Sequence, residues 1–219
     1  MNSLLDQAAG LGLGLYARLL GATVRVRTAG EQHLQQALGS GRPVIFAGWH
    51  GQTHLLYPLM HGRLDFSRMV MMVVGDERVD VLSRFARTIG VEPFPVARED
   101  ESMSGARNFL RLVQLLRDGR YSYMTPDGPD GPPRVAKPGV AFLAERAGAL
   151  LVALGAFTRT CYRLRRWDRY ALPLPFSRVY ASIRPPLSAR RGDDHQRLLA
   201  ALAVELDASI EEARRLGGG

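Results

Sequence analysis

The 219-residue chain has a single cysteine, Cys161, and a single lysine, Lys137. One cysteine excludes an intrachain disulfide framework and any cysteine-rich metal centre. It makes a reducing, cytosolic setting the expectation. No segment reaches the roughly 18 consecutive apolar residues that a membrane-spanning helix requires. The apolar N-terminal stretch has no basic region before it, which argues against a secretory signal. HExxH, GxSxG, GxxxxGK[ST] and GxGxxG are all missing. Zinc-protease, α/β-hydrolase and nucleotide-binding readings therefore have no anchor. Gly10, Gly12 and Gly14 alternate, but no strand precedes them.

Positive charge, by contrast, is in excess: 29 Lys and Arg against 21 Asp and Glu, for a formal net charge of +8. A basic balance points to an anionic partner, whether nucleic acid, an acidic membrane surface, an acidic carrier protein or a phosphorylated substrate. The arginines are dispersed and no nucleic-acid-binding motif is present, so nucleic acid is not the expected partner. Apolar residues make up 46% of the chain, enough for one well-buried core at this length.

Apolar runs alternate with helical patterns, which predicts an α/β fold in a single domain over residues 1–219. Strands are expected at Pro43–Ala47, Met69–Val74, Val91–Ala97, Tyr121–Met124, Leu150–Phe157 and Val179–Ile183. The third carries two prolines and so belongs at a sheet edge. Helices are expected after Asp80 and from Ser104, stopping at Gly90 and Gly119, and from Pro138 to Ala147. An N-terminal apolar helix is expected over 1–22, and a C-terminal helix with its tail over 188–219. Residues Leu4–Leu20 suit either packing on the core or lying against a membrane surface. The segment Trp167–Phe176, WDRYALPLPF, reads as irregular structure that walls a pocket, faces a membrane or packs as a loop.

The most constraining stretch is TPDGPDGPPRVAKPG, Thr125–Gly139. It joins a buried strand to a helix N-terminus, where free N–H groups and the helix dipole favour anions. His50, in AGWHGQTH, directly follows another buried strand. An imidazole there suits proton abstraction from a hydroxyl, because the group ordinarily titrates near neutrality. Gly51 leaves room for a close approach. His54 lies one helical turn on, but two histidines without HExxH are no zinc site, and no metal is expected. Arg98 follows a strand, where a guanidinium fork suits phosphate or carboxylate; pairing with its acidic neighbours is the competing reading.

In order and spacing, WHGQ at 49–52, Arg98, TPDGPDGPP at 125–133, KPG at 137–139 and WDRYALPLPFSRV at 167–179 resemble the small bacterial branch of the lysophospholipid acyltransferase-like superfamily. The likeness spans about residues 15 to 187. It implies an acyltransferase-like α/β domain with a mixed, mostly parallel sheet flanked by helices. It also implies transfer of a fatty acyl chain from a thioester to a hydroxyl of a lysophospholipid or glycolipid-like acceptor. The donor would be acyl-CoA or an acyl carrier protein thioester acting as co-substrate, with no other cofactor. The setting would be the inner face of the cell membrane, touched peripherally.

By the same resemblance His50 is the general base and Asp127 the second catalytic residue. Gln52, Arg98, Gly128, Arg134, Lys137, Trp167 and Asp168 line the substrate site. Superfamily members carry an acid five residues after the histidine to orient it. Here that residue is Leu55, which leaves the task to Asp127 or a backbone carbonyl. It also keeps open a catalytically degenerate lipid- or acyl-binding protein.

Overall fold

Three apolar runs, Val44–Ala47, Tyr121–Met124 and Leu150–Phe157, are buried along nearly their whole length. Strands covered on both faces read as continuous apolar runs and occupy the middle of α/β sheets. The structure is a computed structural model that describes residues 3–75, 78–97 and 103–218. Along the chain it comprises α1 (Ser3–Thr23), β1 (Arg25–Ala29), α2 (Glu31–Gly39), β2 (Val44–Ala47), α3 (Thr53–His61), β3 (Met69–Gly75), α4 (Val79–Thr88) and β4 (Glu92–Ala97). There follow α5 (Met103–Arg117), β5 (Tyr121–Met124), α6 (Pro138–Ala147), β6 (Leu150–Phe157), β7 (Cys161–Arg163), β8 (Ala171–Pro173), β9 (Arg178–Ile183), β10 (Leu187–Ser188) and α7 (His195–Leu216).

The sheet order is β1-β9-β6-β2-β5-β3-β4, with β10 added beside β6. β6 pairs antiparallel with β9 and β10, and the other neighbours in the sheet are parallel. This is a single-domain α/β fold with a mixed, mostly parallel sheet. Side chains alternate across it, as the period of two requires. Phe46, Tyr123 and Val152 join a core under α2 and α3, while Ile45, Met124 and Leu151 join one under α6 and α7. The strand with two prolines, β4, pairs only with β3 and forms an edge. Pro138 opens α6, as the sequence predicts, and Gly148 closes it at φ 69°.

Some elements depart from the sequence reading. α4 starts at Val79, so Asp80 lies inside its first turn instead of capping it. β1 and α2, which the sequence did not reveal, bring a strand to the far edge beside β9. The segment expected to be irregular contains β8, paired antiparallel with β7 in a hairpin. Gly10 and Gly14 serve packing: a Cβ there would sit 2.4 Å from Val81 O and 2.5 Å from Thr88 Cβ, so α1 lies directly on α4. No helix among the described residues is long and apolar enough to cross a membrane.

Candidate active site

β2 and β5 run parallel with Ala47 opposite Met124. His50 and Asp127 each follow three residues beyond those strand ends, so two segments far apart in sequence emerge side by side. The carboxyl ends of parallel strands are where such folds gather ligand-binding groups. His50 opens a 3-10 turn, His50–Gln52, that runs into α3.

Asp127 is 2% exposed, and neighbouring backbone amides engage both of its oxygens. Oδ1 accepts from the His50 N–H at 2.9 Å and Oδ2 from the Arg134 N–H at 3.1 Å. It ties the Pro/Gly loop to the histidine turn. The expectation that Asp127 orients the imidazole is therefore corrected: its oxygens hold two backbone amides and not the ring. Gly128 must be small, because a Cβ would lie 2.7 Å from Thr125 Oγ1 and 2.9 Å from His50 Cδ2.

The acid that meets the imidazole is Asp168. Its Oδ2 lies 2.6 Å from His50 Nδ1, and its side chain is 1% exposed against 23% for the histidine. A carboxylate can only accept, so Nδ1 carries the proton and Nε2 is the basic nitrogen when the ring is neutral. Nε2 has no hydrogen-bond partner among the described residues. Asp168 is thus not an open substrate ligand, as the resemblance implies, but the ring's anchor. Trp167, beside it, packs its ring 5.4 Å from the imidazole centroid, and Tyr170 crosses the other way at 5.6 Å. Gly51 makes room for protein instead of substrate: a Cβ there would lie 2.2 Å from Asp168 O. Leu55 is fully buried in the core, leaving no need for a polar group at its position.

Other expected ligands are also committed to structure. Gln52 donates to Ala156 O and accepts from Ala156 N, both at 3.0 Å, which straps the turn to β6, and it also lines the cleft described below. Lys137 Nζ donates to Gly128 O at 3.1 Å and so holds the loop. Arg98 lies outside the described residues. Asp207 of α7, unnoticed in the sequence, accepts from Trp49 Nε1 at 2.8 Å and lies 3.5 Å from Arg134. It was hidden because an acid on an amphipathic helix looks like any solvated charge.

Beside the dyad opens a cleft of about 500 Å³ whose wall includes Asp127, Trp167 and Asp168. Four arginines also line it: Arg134, Arg163, Arg169 and Arg214. Arg134 pairs with Asp207 at 3.5 Å and Arg214 with Glu211 at 3.6 Å, and the four arginines outnumber the two carboxylates of the wall. Among the described residues no cluster of His, Cys, Asp or Glu is placed to hold a metal ion.

His54, one turn along, differs from His50. It is 5% exposed, its Nδ1 meets Tyr170 Oη at 2.5 Å, and its Nε2 is buried without a partner. Burial pushes its pKa down to about 4, so it stays neutral, and burial pushes the Tyr170 hydroxyl up. The unfolded chain takes up this proton at an ordinary histidine pKa, near 6.5, and the folded chain only near 4. The stability His54 confers is therefore complete above the unfolded value and is lost as pH falls through that window. At about pH 5 the loss amounts to about 2 kcal/mol relative to neutral pH. Urea unfolding across this range should show it, and His54→Gln should flatten that part of the dependence; an unchanged slope would refute the assignment.

No protein-family model matches this chain. It is similar to an uncharacterized protein of Rickettsia prowazekii (strain Madrid E), 26% identical over 145 residues. The match covers 66% of this chain and 64% of that protein's length.

Proposed function

We propose that the protein is an O-acyltransferase that moves a fatty acyl chain from a thioester to a hydroxyl of a lysophospholipid or glycolipid-like acceptor, at the inner face of the cell membrane. The observation that carries this reading is the His50–Asp168 pair, 2.6 Å apart at Nδ1, with Asp168 in the wall of an arginine-lined cleft. Nε2 takes the proton of the acceptor hydroxyl as its oxygen attacks the thioester carbonyl. The tetrahedral intermediate then collapses, the C–S bond breaks, and the imidazolium returns its proton to the departing thiolate. Asp168 stays ionised and stabilises the imidazolium, the role of the carboxylate in acid–base triads. A general base typically supplies about 10²–10⁴-fold in rate, so positioning must provide the rest.

The arginines of the cleft suit the phosphates of coenzyme A, of a carrier protein's prosthetic arm or of a lipid headgroup. A binding-only reading drew its support from the absence of an acid after His50. Asp168 supplies one from elsewhere in the chain, which favours the enzyme.

The test incubates purified protein with long-chain acyl-CoA or acyl carrier protein thioester and a total bacterial lipid extract, followed by mass spectrometry. A new acylated lipid is expected from the unmutated protein and not from His50→Ala. No product from either, with donor or lipid still bound, would replace the enzyme with a binding protein.

A further inference from the structure

α1 has two unlike faces. Gly10, Gly14, Ala17 and Leu20 are buried on the side that lies over α3 and α4. The opposite side carries Leu4, Ala8, Gly12, Leu15 and Leu19 at helical spacing, all exposed. Leu4 is 82% exposed, Leu15 55% and Leu19 45%, and no charged residue interrupts the strip. Arg18, at its flank, turns its guanidinium back to Thr88 O at 3.5 Å. This apolar strip extends along a 21-residue helix, about 30 Å at 1.5 Å per residue.

α1 meets the β7–β8 hairpin, where Tyr16 Oη donates to Pro173 O at 2.6 Å. Just beyond β8, Phe176 is 78% exposed and held at φ 64°, a backbone region that bulky residues avoid. Leu174 and Tyr162 are exposed nearby in sequence. The hairpin adds Arg163 at the end of β7 and Arg165, Arg166 and Arg169 in its loop, all exposed. From Arg159 to Arg178 the only acid is Asp168, which is buried against His50 and lies 3.8 Å from Arg166.

We propose that the leucine face of α1 and the arginine-rich β7–β8 hairpin together form a docking surface for an anionic lipid bilayer. The apolar side chains enter the headgroup–acyl boundary and the arginines meet the headgroups, the arrangement of interfacial helices and basic surface segments. Charge selects this occupant. A second copy would set arginines against arginines, and an acidic carrier protein would match the hairpin but leave the leucine strip exposed to water. Arg163, Trp167 and Arg169 of the hairpin segment also line the cleft that Asp168 walls, so docking brings its mouth to headgroup level. This deepens the acyl-transfer reading, but its test needs no turnover.

The test is co-sedimentation with vesicles of phosphatidylcholine mixed with phosphatidylglycerol, and with vesicles of phosphatidylcholine alone. The unmutated protein and His50→Ala should bind the anionic vesicles equally, and added salt should weaken both. Arg163→Gln combined with Arg165→Gln should weaken binding about five-fold per arginine. Leu15→Glu combined with Leu19→Glu should abolish it, with unchanged circular dichroism, because both sites are exposed. Failure of the unmutated protein to sediment with anionic vesicles would overturn the proposal. So would binding indifferent to both pairs, or self-association in solution that the leucine pair abolishes while vesicle binding persists. Vesicle binding without acyl transfer would sink the enzyme and leave the docking surface standing.

Discussion

Asp168→Asn should lower kcat for acyl transfer by about 10²–10⁴-fold and leave KM nearly unchanged. The carboxylate meets Nδ1 at 2.6 Å and fixes both the ring's orientation and its tautomer. An amide of the same shape either offers a weaker, neutral acceptor or turns its NH₂ toward Nδ1. The second choice moves the ring proton to Nε2 and leaves no base facing the acceptor. A purely structural role would lower stability and raise KM without singling out turnover. The proton spectrum separates the two: the downfield Nδ1–H resonance of His50 should disappear in Asp168→Asn and persist in Asp127→Asn. In the latter the NH₂ would face the Arg134 N–H, and the cost falls on the loop, about 1–3 kcal/mol for a buried group without its partner. Equal turnover in Asp168→Asn and the unmutated protein would remove the dyad from the mechanism.

Gly51→Ala should destabilise the fold by about 1–3 kcal/mol and depress activity well beyond what that loss explains. The added methyl would lie 2.2 Å from Asp168 O and 3.3 Å from its carbonyl carbon. Backbone, unlike the tip of a flexible side chain, cannot turn aside, so the whole Asp168 segment must move. That displacement lengthens the bond to Nδ1. Gly12→Ala is the matching control, since a Cβ there meets nothing within 4 Å. On the exposed face of α1 it should stabilise by up to about 1 kcal/mol through helix propensity. Urea unfolding of both variants with activity assays would show the contrast. A Gly51→Ala protein as active as the unmutated one would mean that the segment has slack the structure does not show.

The limits of sequence reading are visible in particular residues. His50 was legible because it follows a fully apolar run, and such runs announce buried strands whose ends open onto the sheet edge. The loop Thr125–Gly139 was legible because Asp, Gly and Pro each have a defined backbone preference. The role of Asp127 was not, because a carboxylate bonded to backbone amides has the same letter as one facing a substrate. The strap made by Gln52 was hidden in the same way: nothing local shows that its amide would find Ala156. The edge position of β4 followed from its prolines, whereas β1 and α2 were missed because their alternation is weak and their burial partial.

The sequence by itself determined the alternation of strands and helices, the helix boundaries at Pro138 and Ala147, the paired loops after β2 and β5, and the basic balance. These are local properties, set by side-chain periodicity, backbone preference and composition. Tertiary structure alone decided which acid serves His50. Asp168 stands 118 positions away, and only the packing of the β7–β8 hairpin against the histidine turn, over the bare backbone of Gly51, brings the two together. It likewise decided which face of α1 packs and which stays exposed. Its glycines let one face settle on α4, and Leu4, Leu15 and Leu19 on the opposite face stay exposed.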